Sequence, residues 1–261
     1  TIESNDQIWQ VEDNIWTVTI DNWVAMKEYI LQVLRLRVIY NLIFENQVIR
    51  KFIRGIPGLQ ELVCIGKIWY HVEDDKIKKQ PRFDLVIVDA PATGHGIALL
   101  RIAQVVIELS PPGPMLKAAK KIDMLLKDPE KTWINLISLP EEMPINETIE
   151  LHHTLDKQLG LPAQVVWMNQ WPPSLCSPHL RSLFEENMMK GLEHPDVWPL
   201  WSTGSCLSIV EEKAHRYLKT LEKQTTLPII NIPRLASSGR KEKELVWEVV
   251  RKLQKDLEIH D

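Results

Sequence analysis

Short apolar segments alternate along the chain with longer segments whose apolar residues recur every three or four positions. The short segments predict five strands, at residues 15–20, 85–88, 134–139, 165–168 and 229–232. The second and fourth are continuous apolar runs, which is typical of strands buried on both faces. Strands that alternate with helices indicate a parallel sheet covered on both sides. The pattern therefore predicts an α/β fold with a doubly wound, mostly parallel sheet.

The helical repeat predicts three amphipathic helices, which share apolar residues at the i, i+3, i+4 spacing. They lie at residues 115–126, 151–159 and 241–258. Asn146 is the expected N-cap of the second helix, and Gly160 followed by Pro162 ends it. Ser237 and Ser238 mark the expected start of the third helix.

A helical insertion is predicted at residues 24–68, between the first two strands. The apolar residues of 29–44 surround the helix axis instead of forming one stripe, so a single sheet face cannot bury them all. Two interpretations follow: burial against 56–68 and a dimer mate, or a groove that accepts a hydrophobic helix. Polar residues interrupt this stretch before it reaches the roughly 20 apolar residues of a membrane span, so none is predicted.

Composition narrows the class of protein. The 261 residues are 44% hydrophobic and carry 31 Lys and Arg against 35 Asp and Glu, a net charge of −4 that argues against a nucleic-acid surface. Cys64, Cys176 and Cys206 are too far apart for a CxxC zinc clasp, and their number favours a reducing, cytoplasmic location. The chain begins at Thr1 without a signal pattern, which indicates a processed protein or a fragment, and we expect the fragment. Residues 1–261 are expected to form a single domain.

The most informative segment follows the second predicted strand. It reads FDLVIVDAPATGHG, so a buried strand ends in Asp89 and turns through small residues into a helix. Open α/β sheets bind ligands at this carboxyl edge. A carboxylate there is placed to hold Mg²⁺ or a water of its shell. The alternative is an Asp that caps the next helix.

The residues Asp89-Ala90-Pro91-Ala92-Thr93-Gly94-His95-Gly96 resemble the DTAPTGHT switch segment of the ArsA family of ATPases. This family includes the arsenite-pump ATPase and the targeting factor for tail-anchored membrane proteins. Ala-Pro-Ala replaces Thr-Ala-Pro, and Gly96 stands where the family has Thr. The resemblance extends through most of the chain, in segments at 57–62, 66–70, 139–144 and 147–148.

The resemblance implies a P-loop NTPase fold of the deviant Walker A type, with ATP and Mg²⁺ as ligands. Asp89 would position the Mg²⁺ shell, and Thr93, Gly94 and His95 would form the switch. Two protomers would close over ATP and reopen on hydrolysis, as a homodimer or with a paralogue. The cargo would be an anion or a hydrophobic helix, because the scattered cysteines favour neither the arsenite branch nor the zinc-clasped targeting branch.

Two later segments resemble the family's adenine pocket. Asn169 follows the fourth predicted strand, and its amide can offer one donor and one acceptor to adenine. Pro233 and Arg234 follow the last strand and would wall the other side of the base. The alternatives are an Asn that satisfies a turn at a strand end and an ordinary loop proline.

The phosphate-binding sequence Gly-x-x-x-x-Gly-Lys-[Ser/Thr] is missing from the 261 residues. In the ArsA family that loop lies N-terminal to the part that resembles this chain, so we expect the chain alone not to hydrolyse ATP. One alternative is a non-catalytic partner subunit that dimerises with a competent paralogue. A partitioning or septum-positioning ATPase is disfavoured by the ordinary mixed-charge helix at the C-terminus. Adjacent residues on a helix point about 100° apart, so His152-His153 is expected to be a solvated edge and not a metal pair. Cys176 and His179 lack a second Cys/His pair nearby in sequence to complete a metal site.

Overall fold

The computed structural model describes a defined part of the chain, namely residues 8–21, 23–26, 58–174, 179–180, 182–184, 186, 196, 198–235, 239 and 241–257. It divides into two compact units, 1–132 and 133–261. Of the predicted helical insertion, residues 27–57 lie outside the described residues. The hypothesis of a hydrophobic groove around residues 29–44 therefore stays a prediction, as does the assignment of 1–261 to a single domain.

Three long helices are described in the first unit. They are α1 at Leu59–Trp69, α2 at Thr93–Leu109 and α3 at Pro114–Lys127. Their facing apolar residues form one core: Leu62, Ile65, Leu99, Ile102, Ala103 and Ile122. The helix predicted at 115–126 is confirmed, with the proline-rich segment at 111–114 separating it from α2. Gly58 begins α1 at φ 80°, and a side chain there would collide with Ile102.

Two short hairpins are also described in this unit. Strand β1 at Trp9–Glu12 pairs antiparallel with β2 at Ile15–Thr17, and β3 at Lys76–Ile77 pairs with β4 at Gln80–Pro81. The first predicted strand, 15–20, is therefore shorter than expected and belongs to an exposed hairpin. Asn14 in its turn has a φ of 63°, which a short polar side chain tolerates.

The strand predicted at 85–88 was wrong for this structure. These residues have no regular secondary structure, and the side chains of Leu85 and Ile87 are 75% and 85% exposed. A strand forms only when its N–H and C=O groups bond to a neighbouring strand. Among the described residues no strand pairs with 85–88. The apolar run therefore leads to Asp89 as a mostly exposed segment without regular secondary structure.

The second unit contains the parallel sheet, in the order β5-β6-β7. These strands are Ile134–Ser138, Ala163–Trp171 and Ile229–Pro233, all parallel to their neighbours. They match the last three predicted strands. The α/β class with a parallel sheet is thereby confirmed.

The longer helices described beside this sheet are α4 at Glu142–His153, α5 at Trp198–Gln224 and α6 at Glu242–Asp256. The buried residues Leu136, Val166 and Met168 lie on the sheet face that α4 covers, where the Thr148 hydroxyl lies 2.9 Å from that of Ser138. None of the described helices is long and apolar enough to cross a bilayer.

The predicted ends of two helices need correction. Helix α4 is capped by Glu141, so Asn146 lies within the helix and is not its N-cap. A π-helical segment, Thr154–Leu159, continues it to Gly160, whose φ of 64° ends it as predicted. Helix α6 begins after Lys241, whereas Ser237 and Ser238 lie outside the described residues.

Candidate functional site

The loop that carries Asp89 is open to solvent. Asp89 is exposed and, within the described part of the chain, makes no hydrogen bond or ion pair. A carboxylate in this state is available as a ligand. No cluster of three or more His, Cys, Asp or Glu side chains that would hold a metal exists among the described residues. The single Asp89 carboxylate fits Mg²⁺, which keeps several waters and takes one or two carboxylates together with nucleotide phosphates.

Helix α2 begins immediately after this loop. Ala92 is its N-cap and has no side-chain oxygen, and Thr93, Gly94 and His95 form the first turn without an acidic residue. The amide of His95 donates to the carbonyl of Ala92 at 3.0 Å. An uncapped N-terminus with its positive dipole end favours an anion such as phosphate. The three predicted switch residues therefore share one helix end, and Gly94 and His95 are exposed there.

Gly96 lies within α2 and comes close to the backbone of the loop that precedes the helix. A Cβ at this position would lie 2.9 Å from the carbonyl oxygen of Pro91, closer than a Cβ atom approaches in real structures. The glycine thus permits the tight turn from Pro91 into α2. This close approach leaves no room for the Thr that stands at this position in the ArsA switch segment.

Asn169 lies at an irregularity of the sheet. The pairing of β6 with β7 shifts between Met168 and Trp171, and Gln170 adopts a φ of 55°. The Asn169 Oδ1 accepts a hydrogen bond of 2.8 Å from the Gln170 amide. Bulges of this kind redirect side chains and are frequent beside active sites. The amide nitrogen of Asn169 has no partner among the described residues, so it can donate to a ligand.

A cleft of about 300 Å³ opens beside this bulge. Its lining brings together the three predicted nucleotide-binding residues, Asn169, Pro233 and Arg234. Helix α6 supplies an apolar wall of Leu245, Val246 and Val249. The cleft is largely open to solvent, and its apolar wall and few polar groups are the features that it shares with small-molecule sites.

The structure places the predicted residues in two groups. Asp89 and Thr93–His95 lie in the unit 1–132, and Asn169, Pro233 and Arg234 lie in the unit 133–261. Sequence reasoning missed the wall that α6 contributes. The four-residue spacing of Leu245 and Val249 predicts an apolar face for this helix, but it does not say what that face covers. The positive φ of Gln170 was missed as well, because the sequence does not mark which non-glycine residue adopts this conformation.

The first part of the chain matches a known family. Residues 2–110 match the model of the anion-transporting, or ArsA, ATPases. The predicted resemblance to ArsA ATPases is confirmed over these residues. This match covers the loop with Asp89 and the first turn of α2.

The curated relatives of this chain carry the name ATPase. The chain is 33% identical over 122 residues to the ATPase BagA of Mycobacterium tuberculosis and, to the same extent, to a Mycobacterium bovis protein provisionally named an ATPase. Each alignment covers 47% of this chain and 35% of the relative. The chain thus matches about a third of the length of these relatives.

Proposed function

We propose that this chain supplies the switch and the base pocket of an ArsA-type, Mg²⁺-dependent ATPase. The observation that carries the proposal is the cleft between β6, β7 and α6, which gathers Asn169, Pro233 and Arg234. The resemblance to the ArsA ATPases implies that these residues form the adenine site, and 63 or more residues separate Asn169 from the other two. Their meeting in one cleft supports adenine as the ligand.

The chemistry of the cleft fits a purine base. The Asn169 amide would donate to a ring nitrogen of adenine, and its oxygen would accept from the exocyclic amine. Pro233 and the apolar wall of α6 would pack on the faces of the base. Arg234 is exposed at the rim, where it would meet the ribose or a phosphate.

The switch end would act on the phosphates. Asp89 would hold a water of the Mg²⁺ shell, and the amides at the start of α2 would face the terminal phosphate. Bound Mg²⁺ would neutralise charge on the phosphate oxygens. Hydrolysis would then release the first turn of α2, and in a dimer this change would open the two protomers.

A second function rests on one observation of the sequence: the 261 residues contain no Gly-x-x-x-x-Gly-Lys-[Ser/Thr]. The chain would then be a non-catalytic partner that binds nucleotide weakly and dimerises with a competent paralogue. Under either function we propose a cytoplasmic location and an anion or a hydrophobic helix as the cargo. The two functions differ in whether a phosphate-binding loop belongs to the same polypeptide.

Nucleotide binding to the 261-residue chain tests the base site. We expect weak binding of adenosine and ADP, detected by ligand-observed NMR, because the chain holds base contacts but no phosphate loop. GDP at the same concentration should not compete, since its amino and oxo groups mismatch the Asn169 amide. Equal competition by GDP and ADP, or tight binding that persists without Asn169, would contradict the adenine assignment.

A further inference from the structure

The connection between α1 and the Asp89 loop contains a buried polar pair. Helix α1 ends in a π-helical turn, Tyr70–Asp74, and the Asp75 amide donates to the Tyr70 carbonyl at 2.8 Å. His71 in this turn is only 6% exposed. Its Nδ1 lies 3.0 Å from a carboxylate oxygen of Asp75. Turns of the π type are frequent at functional positions, so this pair calls for an explanation.

Packing alone does not explain the imidazole. Nδ1 is placed to donate to the Asp75 carboxylate, and Nε2 is buried without a hydrogen-bond partner among the described residues. A buried polar atom without a partner destabilises the folded state, whereas leucine would fill the same space without this cost. We infer that His71 is needed for its hydrogen bond to Asp75, which an apolar residue could not make.

The pair is joined to Arg82 and Phe83. An Arg82 guanidinium nitrogen lies 3.7 Å from the Asp75 carboxylate, and the Arg82 amide donates to the Asp75 carbonyl at 2.9 Å. The ring centres of Phe83 and His71 lie 6.0 Å apart in an edge-to-face arrangement. The Arg82 guanidinium lies 5.1 Å from the centre of the Phe83 ring. Trp16 of the first hairpin packs on Phe83 from 5.8 Å. Phe83 is thus held by three neighbours.

Phe83 packs on these neighbours six residues before Asp89. Beyond it, Val86 is half-buried, Leu85, Ile87 and Val88 are exposed, and regular structure resumes only at Thr93. The Phe83 packing and the start of α2 are thus two points that hold the segment 84–92. The position of the first point limits where Asp89 can reach.

We propose that His71, fixed by Asp75, is a positioning residue that anchors Phe83 and so restricts the loop that carries Asp89. His71 acts through Phe83 and touches no substrate. Its effect on hydrolysis rests on the proposed role of Asp89, but its effect on the loop does not. The loop can be measured independently.

A spin label on the loop tests the anchor. The label is attached at Ile87→Cys in a chain with Cys64→Ala, Cys176→Ser and Cys206→Ser, and a second sample carries it at Lys120→Cys on α3. We expect His71→Leu and Asp75→Ala, which each remove one partner of the hydrogen bond, to shorten the rotational correlation time at position 87 roughly twofold, on the nanosecond scale of loop motion. The time at position 120 should not change, since the helical core stays folded.

Two further variants keep the test specific. His71→Asn retains a donor near the position of Nδ1 and should restore much of the restriction. Lys131→Gln removes the neighbouring 2.7 Å ion pair with Glu73 and should have no effect at position 87. The proposal is overturned if the correlation time at position 87 changes equally in all variants, or if the correlation time at position 120 shortens in parallel. It is also overturned if His71→Asn and His71→Leu shorten the correlation time at position 87 equally.

Hydrolysis provides the separate readout. In an assay that supplies the phosphate-binding loop, in the same polypeptide or as a partner chain, His71→Leu should lower kcat roughly tenfold or more, since small misplacements of reacting groups are costly. The KM for ATP should stay close to that of the parent, because the base cleft lies elsewhere in the chain. Altered mobility at position 87 with an unchanged kcat would support the anchor and overturn the role of Asp89.

Discussion

The backbone N–H of Arg234 donates a hydrogen bond of 2.8 Å to the carbonyl oxygen of Trp171. This bond joins the ends of β6 and β7 just beyond the bulge that carries Asn169 and Gln170. It brings the residues that follow both strands to one edge of the parallel sheet. The cleft of Asn169 and Arg234 is therefore a product of strand order, because the carboxyl ends of parallel strands meet.

Replacing Asn169 tests the base pocket. Asn169→Ala should weaken adenosine or ADP binding to the chain by roughly tenfold, since it removes hydrogen bonds worth about 1 to 1.5 kcal/mol. The matched control is Asn135→Ala, on the neighbouring strand, whose side chain accepts a 3.4 Å bond from Trp167 Nε1 and does not line the cleft. Equal losses in the two variants, measured by NMR titration, would argue against a specific base contact.

Parts of this site could be predicted from the sequence and parts could not. Asn169 and Pro233 could be predicted, because apolar runs that stop at polar or turn residues mark the strand ends of a parallel sheet. The conformation of 85–88 could not be predicted, because an apolar run indicates a strand but does not say whether a partner strand is available. The bulge at Gln170 and the wall formed by α6 depend on tertiary packing, which periodicity does not encode.

Replacing Asp89 separates hydrolysis from binding. In an assay that supplies the phosphate-binding loop, Asp89→Asn should lower kcat on the order of a hundredfold, because a neutral amide orders the Mg²⁺ shell poorly at the charged phosphate. The affinity for ADP should change little, since the base contacts are made by other residues. Lys255→Ala on α6 is the control for unrelated loss of charge. A loss of kcat in Lys255→Ala as large as in Asp89→Asn would leave Asp89 without a special role.

The two faces of the parallel sheet should differ in their tolerance of truncation. Met168 is fully buried on the face that α4 covers, whereas Ile137 is 72% exposed. Met168→Ala should lower the free energy of unfolding by about 2 to 5 kcal/mol, because it leaves a cavity. Ile137→Ala should stay within about 0.5 kcal/mol of the parent. Urea denaturation followed by circular dichroism measures both, and similar midpoints would contradict this assignment of faces.

The two described cysteines should react at different rates. Desolvation by burial, together with the nearby Glu61 carboxylate, raises the pKa of the Cys64 thiol. Only the thiolate is nucleophilic, so less of Cys64 is reactive at a given pH below that pKa. Iodoacetamide should therefore modify exposed Cys206 first, and the rate at Cys64 should keep rising toward higher pH. Glu61→Gln should move the pH profile of Cys64 downward, which mass spectrometry of the two peptides would detect.

The two glycines at the start of α2 provide a matched pair, because one has room for a side chain and the other does not. An added Cβ meets nothing within 4 Å at Gly94, but at Gly96 it would lie 2.9 Å from the Pro91 carbonyl oxygen. Gly94→Ala reduces the freedom of the unfolded chain, so it should raise the free energy of unfolding by up to about 1 kcal/mol.

Gly96→Ala should lower the same quantity by about 1 to 2 kcal/mol, because backbone atoms and not a flexible side chain must move to relieve the contact. Gly96→Thr, which restores the residue typical of the ArsA family, should be at least as destabilising, since a β-branched side chain needs more room. Thermal unfolding of the three variants measures these differences. A Gly96→Thr chain as stable as the parent would mean that the loop relaxes at no cost, and that the close approach of Gly96 to Pro91 does not determine how the Asp89 segment enters α2.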